Sequence, residues 1–436
     1  MHKMKMTSPF YISDTLRRFG YIVVVVVLVA GSFSKALSQV NRLPQRIMIN
    51  PMEAGNTGVA ITWRIEDPDV DQYIQWLEAQ ANPVKDLTRY DQKQAVGRRD
   101  TVSYDGHTSV FHSYRVRLPD LTPGKSYMYR VGSEESGWSE WIQFDLPADE
   151  PDSRLTFIYL GDPQNDLRSQ WSRAIREAYA TAPEADFILY AGDLVNKGYN
   201  DDEWRDWYDA GSFIHRMVPS ILTPGNHEFT NVVLTPLWRS HFTLPENGPS
   251  DAEALKGACY FVDYPDLRVI SLDGEQIDED PQMRLAMVRW LDDVLKNNPK
   301  QWVIMTMHYP FYSTKPDRSN PKLKAAFKPL VDKYGVDLIL QGHDHGYGRG
   351  MLDQTENGPV DRGTMYVVSV SGPKMYEVGQ EKWMQARGEN VQLYQVISIR
   401  GNQLDYTSYS VDGQEFDKFS LLKSDKGSRL IEKKKP

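Results

Sequence analysis

Cysteine is nearly missing from this chain: Cys259 is the only one in 436 residues. No disulfide can therefore form within the chain, and no cysteine-rich zinc site can be assembled from it. Positive charge is also short. Fifty Lys and Arg against 59 Asp and Glu leave a net charge of −9. Phosphate backbones select basic faces, so nucleic acid is not an expected partner, although a small local basic patch stays open. Internal repeats and low-complexity segments are absent too. With 40% hydrophobic and 25% charged residues, the chain has the composition of an ordinary globular protein, long enough for two or three domains.

A membrane-spanning run of some 20 apolar residues is likewise lacking. The apolar run at 21–30, with five consecutive valines, falls short of that length. It follows His2, Lys3, Lys5, Arg17 and Arg18 and precedes the small residues Ala36-Leu37-Ser38. A basic start, a short apolar stretch and a small-residue site make the layout of a secretory signal peptide over 1–38, with an uncleaved anchor as the alternative. No cysteine follows the run, so lipoprotein attachment there has no support. The expectation is an exported protein with no stable span after cleavage: periplasmic, cell-surface or secreted. Export without disulfides suits a bacterial envelope better than a eukaryotic secretory route.

Over 40–148 the pattern is all-β. Val59, Ile61 and Trp63 alternate with polar residues, as do Tyr114, Val116 and Leu118, and Tyr127, Tyr129 and Val131. Period two predicts strands with one buried face, and about seven of them favour a sandwich. The Pro- and Asp-rich stretch 147–153 reads as a linker. Over 154–412 short apolar runs alternate with helical stretches. Strands are expected at 155–160, 187–191, 218–222, 268–272, 302–307 and 337–340. Helices are expected near 168–181, 202–217, 282–296 and 322–334. Such alternation predicts a layered α/β domain with much parallel pairing. Runs at 365–370, 391–399 and 404–409 predict antiparallel strands closing the sheet, and 413–436 reads as a C-terminal tail, frayed from Leu422.

Five of the predicted strands end in polar clusters: Gly161-Asp162-Pro163-Gln164, Gly192-Asp193-Leu194-Val195-Asn196, Gly225-Asn226-His227-Glu228, His308, and Gly342-His343-Asp344-His345. Strand carboxyl ends line the ligand crevice of open α/β sheets, so these clusters should converge. Asp, Asn, Gln and His supply hard oxygens and imidazole nitrogens, which suit Mn, Fe or Zn rather than a thiolate site or a calcium cage. Six or seven ligands exceed the needs of one tetrahedral ion, and a bridging carboxylate makes a dinuclear centre natural. Two ions about 3.5–4 Å apart can clamp the attacking and leaving oxygens of a displacement at phosphorus. Of nine histidines, His107, His112, His215 and His241 fall outside the clusters and read as structural or surface residues, and His2 goes with the signal segment.

In these ordered blocks the chain resembles the calcineurin-like metallophosphoesterases over 154–412. The leading sandwich resembles the N-terminal domain of purple acid phosphatases, notably in Leu121-Thr-Pro-Gly124, Tyr127–Gly132 and Trp138-Ser-Glu-Trp141. The resemblance implies a fibronectin III-like domain followed by a four-layer αββα domain that hydrolyses phosphate esters. It implies that Asp162, Asp193 and His345 hold a first metal, that Asp193 bridges, and that Asn226, His308 and His343 complete the second site. A hydroxide activated by both ions would be the nucleophile. His227 would serve the leaving oxygen as general acid or stabiliser. Two departures stand out. Gln164 occupies a position normally His, and could ligate or stand behind the ligands. Asn196 replaces the metal-bound tyrosine of purple acid phosphatases, so no charge-transfer colour is expected. No extra substrate-binding histidine follows His308, which leaves Asn196, Lys315 and Arg318 as candidate substrate contacts. A small phosphate ester is the expected partner, with monoester the first reading and diester the alternative. A non-catalytic envelope binding protein is the reading from another class. Specificity should lie in the loops 229–257 and 309–322. Trp204, Trp207 and Trp238 read as core.

Overall fold

The computed structural model describes residues 43–66, 70–81, 89–150 and 153–432, so the expected export segment 1–38 lies outside it. Among the described residues no helix is long and apolar enough to cross a membrane.

The N-terminal part is a sandwich of two antiparallel sheets. One has the order Gln45–Pro51, Val59–Ile65, His107–Leu118 and Val96–Tyr104; the other is built on Tyr73–Glu78 and Ser126–Ser133. Alternation explains why it holds. Ile47, Ile49, Ile61, Trp63, Val116 and Tyr129 face inward and share one core. One buried face is not the whole account, however, because Val59–Ile65 is buried throughout. The residues in between face the α/β part: Met48 joins its core, Asn50 donates to the Ser220 carbonyl at 2.8 Å, and Thr62 bonds Thr243 at 2.8 Å. Arg46 and Arg64 both clasp Asp201. The two parts thus meet across a face of specific contacts.

Two seven-stranded sheets form the α/β part. In one, Ser220–Thr223, Phe187–Ala191 and Leu155–Leu160 run parallel, and Leu393–Arg400 and Gln403–Ser410 continue antiparallel. In the other, Leu267–Ser271, Trp302–Met307, Leu338–Gln341 and Thr364–Val368 run parallel. Period two sorts the second sheet's residues. Val269, Ile304, Leu338, Leu340 and Val367 join the cluster shared with the first sheet. Ile270, Met305, Ile339 and Val368 pack beneath helices Pro281–Lys296 and Pro321–Tyr334. Helix Ser172–Thr181 covers the first sheet. The result is helix, sheet, sheet, helix.

Three expectations need correction. Thr364–Val368 is parallel to its neighbour Leu338–Gln341, because Tyr347–Leu352 turns back outside it and lets the chain re-enter in the same direction. The helix expected over 202–217 breaks at Ser212, whose φ of +45° no α-helix accommodates. It becomes Asp201–Gly211 and Ile214–Met217. The tail expected over 413–436 is ordered as far as residue 432. Glu415–Ser424 and Gly427–Ile431 extend the first sheet, burying Phe419, Leu421 and Leu430. Three apolar residues in that short stretch repay the ordering that a polar tail could not.

Candidate metal centre

The strands Leu155–Leu160, Phe187–Ala191, Trp302–Met307 and Leu338–Gln341 all point their carboxyl ends at one place, and the clusters that follow them converge there. Asp162, Asp193 and His345 form one group whose donor atoms lie within 4.8 Å of one another; Asp193, His308 and His343 form a second. Asp193 is common to both. His308 Nε2 lies 3.1 Å from Asp193 Oδ2 and 3.2 Å from Asn226 Oδ1, and His343 Nδ1 lies 3.0 Å from the same Asn226 oxygen. Asp162, Gln164, Asp193, His308 and His345 are buried, while Asn226, His227 and His343 line the open side.

The rings are aimed from behind. His308 Nδ1 bonds the Ala191 carbonyl at 2.8 Å and His345 Nδ1 the Lys374 carbonyl at 2.9 Å, so the Nε2 atom of each faces the cage. The Asp193 turn is held by Glu228, which is fully buried. Its carboxylate accepts backbone N–H bonds from Asp193, Leu194, Val195 and Gly225. Glu228 is a positioning residue that the ligand pattern alone did not single out; its signal was the acidic residue closing Gly225-Asn226-His227-Glu228. Burial and the neighbouring Asp193 push its carboxyl up to about 8.

Negative charge dominates the cage. Burial, reinforced by Asp193, drives the Asp162 carboxyl far above its usual range, even though His308 works the other way. Burial disfavours a charged His308, yet Asp193 and Asp162 overcome it and raise the imidazole to about 10. A pit that holds a proton so tightly is one that calls for a cation. Gln164 adds a second sign. Its Nε2 donates to Asp193 Oδ2 at 2.8 Å and lies 3.1 Å from His345 Nε2, but its buried Oε1 has no partner. An orphaned buried amide oxygen on a residue that touches Asp193 and His345 marks an incomplete shell. Nitrogen and oxygen donors without sulfur fit Mn, Fe or Zn.

His227 stands at the open edge. Its Nδ1 bonds the Asn196 carbonyl at 2.6 Å, and its Nε2 lies 3.9 Å from Asp193 Oδ2. Asn196 therefore meets the site through its backbone carbonyl. Lys315 and Arg318 sit on the other side, around Tyr376. Lys315 Nζ lies 4.7 Å from that ring's centre, the Arg318 guanidinium 5.6 Å and Lys374 Nζ 5.6 Å, and the ring itself lies 4.5 Å from His345. Asp344, between the two ligand histidines, anchors Arg318 at 2.7 Å. Lys374 and Tyr376 carried no sequence signal, because they come from a loop after the last ligand. The remaining histidines are elsewhere: His215 stacks on Trp207 at 3.9 Å, His241 packs on Trp204, and His107 and His112 lie on the sandwich. Trp204, Trp207 and Trp238 are core.

Residues 155–347 match the family model for calcineurin-like phosphoesterases, and residues 44–146 match that for the purple acid phosphatase N-terminal domain. The chain carries a calcineurin-like phosphoesterase domain behind a purple acid phosphatase N-terminal domain. Among curated relatives, purple acid phosphatase 1 of Ipomoea batatas is 25% identical over 70% of this chain and 64% of its own length. The Fe(3+)-Zn(2+) purple acid phosphatase 12 of Arabidopsis thaliana is 24% identical over 70% and 65%. The chain spans less than two thirds of the length of these relatives. The solved purple acid phosphatase PPD1 from yellow lupin seeds shares the fold, with a TM-score of 0.71 at 17% identity, covering 87% of this chain and 74% of that one. In the phosphoesterase domain, the two donor groups lie where its ordered blocks meet.

Proposed function

We propose that the protein hydrolyses phosphate esters, phosphomonoesters first, through two cations held by these groups. The observation that carries this reading is the pair of donor groups sharing Asp193 beside His227. Asp162, Asp193 and His345 would hold one cation, and Asn226, His308 and His343 with Asp193 the other. Fe, Mn and Zn all fit the donors, and a relative named for Fe(3+) and Zn(2+) supports such a pair. Bound there, the cations would polarise the phosphoryl oxygens and lower the pKa of a water molecule.

The chain's own groups then have defined tasks. With Nδ1–H given to the Asn196 carbonyl, His227 keeps Nε2 for the substrate, and in its charged form that atom carries a proton. As a water oxygen bonds to phosphorus and the ester P–O bond breaks, His227 gives that proton to the leaving oxygen. Lys315, Arg318 and Lys374 gather positive charge beside His345 and would steer the phosphate in. Gln164, by its bond to Asp193, fixes the shared carboxylate. The basic start and short apolar run of residues 1–38 support delivery across a membrane, which N-terminal sequencing of the exported protein would check.

The test is elemental analysis of purified protein, paired with turnover of p-nitrophenyl phosphate and its bis-ester. About two ions per chain and faster monoester cleavage are expected. Protein that neither holds metal nor cleaves either ester after Mn, Fe or Zn is supplied would overturn the proposal; preference for the bis-ester would convert it to a phosphodiesterase.

A further inference from the structure

On the His227 side of the cage lies a cavity of about 470 Å³, open to solvent and lined from both domains. Its volume falls within the ~300–1,000 Å³ that accommodates a small organic ligand. One wall comes from the N-terminal domain. Val96–Tyr104 and His107–Leu118 form a hairpin closed by Asp105 and Gly106, with φ of +48° and +79°. This is the two-residue turn that an Asp-Gly pair favours. It delivers Tyr104 and Asp105 to the cavity. The phosphoesterase domain supplies Lys197, Tyr199, Phe229 and His227. Lys197 Nζ lies 5.4 Å from the centre of the Tyr104 ring, a cation–aromatic contact that ties the hairpin to the loop leading from Asp193.

We infer that this interdomain cavity is a leaving-group subsite for a flat aromatic group of nucleoside size, with Tyr104 as a stacking wall. The inference rests on the phosphoesterase reading above. His227 belongs to both the cage and the cavity, so a leaving oxygen that reaches Nε2 directs the rest of its group into this space. Three of the cavity's side chains, Tyr104, Tyr199 and Phe229, are aromatic, and π-faces accept bases without regard to their identity. Asp105 and Lys197 offer an acceptor and a donor at the rim for ring amines, carbonyls or sugar hydroxyls. The two charges cancel, which suits a neutral polar group. The N-terminal domain thereby becomes part of the substrate site.

The experiment compares adenosine 5′-monophosphate with ribose 5-phosphate, whose leaving alcohols are chemically alike and differ by the base. It is run on metal-loaded wild type, Tyr104→Ala and Tyr104→Phe, and adenosine binding is titrated calorimetrically alongside. Wild type should favour the nucleotide in kcat/KM by about tenfold or more, the scale of one base–aromatic stack. Tyr104→Ala should lose most of that ratio and most of the adenosine affinity, while Tyr104→Phe keeps both. Turnover of both esters at similar kcat/KM, or a ratio that survives in Tyr104→Ala, would overturn the subsite and leave the phosphoesterase reading standing. Adenosine binding that depends on Tyr104 without turnover of either ester would overturn both the leaving-group role and the phosphoesterase reading, leaving a base-binding pocket alone. Neither binding nor turnover would overturn both.

Discussion

Asp201 makes the sharpest test of how the two domains are held together. It is the first residue of helix Asp201–Gly211, and its carboxylate meets Arg46 at 2.6 Å and Arg64 at 3.0 Å, both from the N-terminal sheet. All three side chains are nearly buried, at 13%, 5% and 8% exposure, so solvent screens them little. Burial alone would raise the Asp201 carboxyl, but the two guanidiniums more than offset it and hold it down at about 2. Set against an ordinary aspartate near 3.9, that depression corresponds to about 2–3 kcal/mol of folding free energy. Asp201→Asn keeps the shape and removes the charge. It leaves Arg46 buried without a carboxylate partner and Arg64 with only the more exposed Glu66 at 3.4 Å, a situation that typically costs about 3–5 kcal/mol.

The expected result is a loss of about 3 kcal/mol in urea denaturation at pH 7. The direction with pH follows from the sign of the shift. A folded-state pKa lowered from near 4 to about 2 gives stability that is fully present above pH 4 and lost as pH falls toward 2. The gap between wild type and Asp201→Asn should therefore be constant from pH 7 to 5 and close between pH 4 and 2. One cooperative transition is expected, because Met48, Val102 and Phe111 of the N-terminal domain belong to the same core cluster as the phosphoesterase sheets. Equal stability of the two proteins at pH 7, or a gap that persists unchanged to pH 2, would refute the reasoning.

His227→Ala should lower phosphate-ester turnover by about 10²- to 10³-fold while elemental analysis still finds two ions, since His227 is not among the grouped donors. Loss of metal in that variant would make His227 a ligand instead. Gly225→Ala should empty the centre at little cost to the rest of the fold, because a Cβ there would collide with the Asp193 carboxylate and backbone; metal titration and circular dichroism separate the two effects. Glu228→Gln puts an amide nitrogen among four backbone N–H donors and should weaken metal binding by about 10- to 100-fold. Lys315→Ala with Lys374→Ala should raise KM for p-nitrophenyl phosphate several-fold, more at low salt than at high, because charges that solvent reaches are screened; an effect on kcat alone would argue against steering.

Much of this was legible because the relevant signals are local. Apolar runs followed by Asp, Asn or His mark strand ends, and Asp162, Asp193, Asn226, His308, His343 and His345 do meet at one place. What was not legible depends on partners far along the chain. Val59–Ile65 reads as a half-buried strand, and only docking reveals why Thr62 and Arg64 are buried. Lys374 and Tyr376 are unremarkable in sequence; their position beside His345 follows from a loop that returns after Thr364–Val368. The residues after 413 look polar on average, yet a strand needs only alternate apolar positions once another strand offers it an edge.

The short glycine-bearing blocks are informative for a further reason, which is backbone strain. Asp162, Asp193, His343 and His345 have φ of +42°, +50°, +73° and +24°, in or near the left-handed region that non-glycine residues seldom occupy. Each such residue costs roughly 1–3 kcal/mol, and such outliers cluster where function over-determines the geometry. Here the compensation is visible. The Asp162 carboxylate accepts the His343 N–H at 2.9 Å, Asp193 accepts the His227 N–H at 3.0 Å, and Glu228 holds the Asp193 turn. A Cβ on Gly342 would strike Asp162, and one on Gly192 would come within 2.7 Å of His308 Nδ1. Glycine before Asp162, Asp193, Asn226 and His343 is therefore what lets adjacent turns approach closely enough for their donor atoms to share a cation. Relaxing those turns would spread the carboxylates and ease their repulsion in the metal-free protein. The fold instead keeps them crowded, and metal binding should accordingly raise its stability; thermal unfolding with and without a chelator would show no difference if that crowding were incidental.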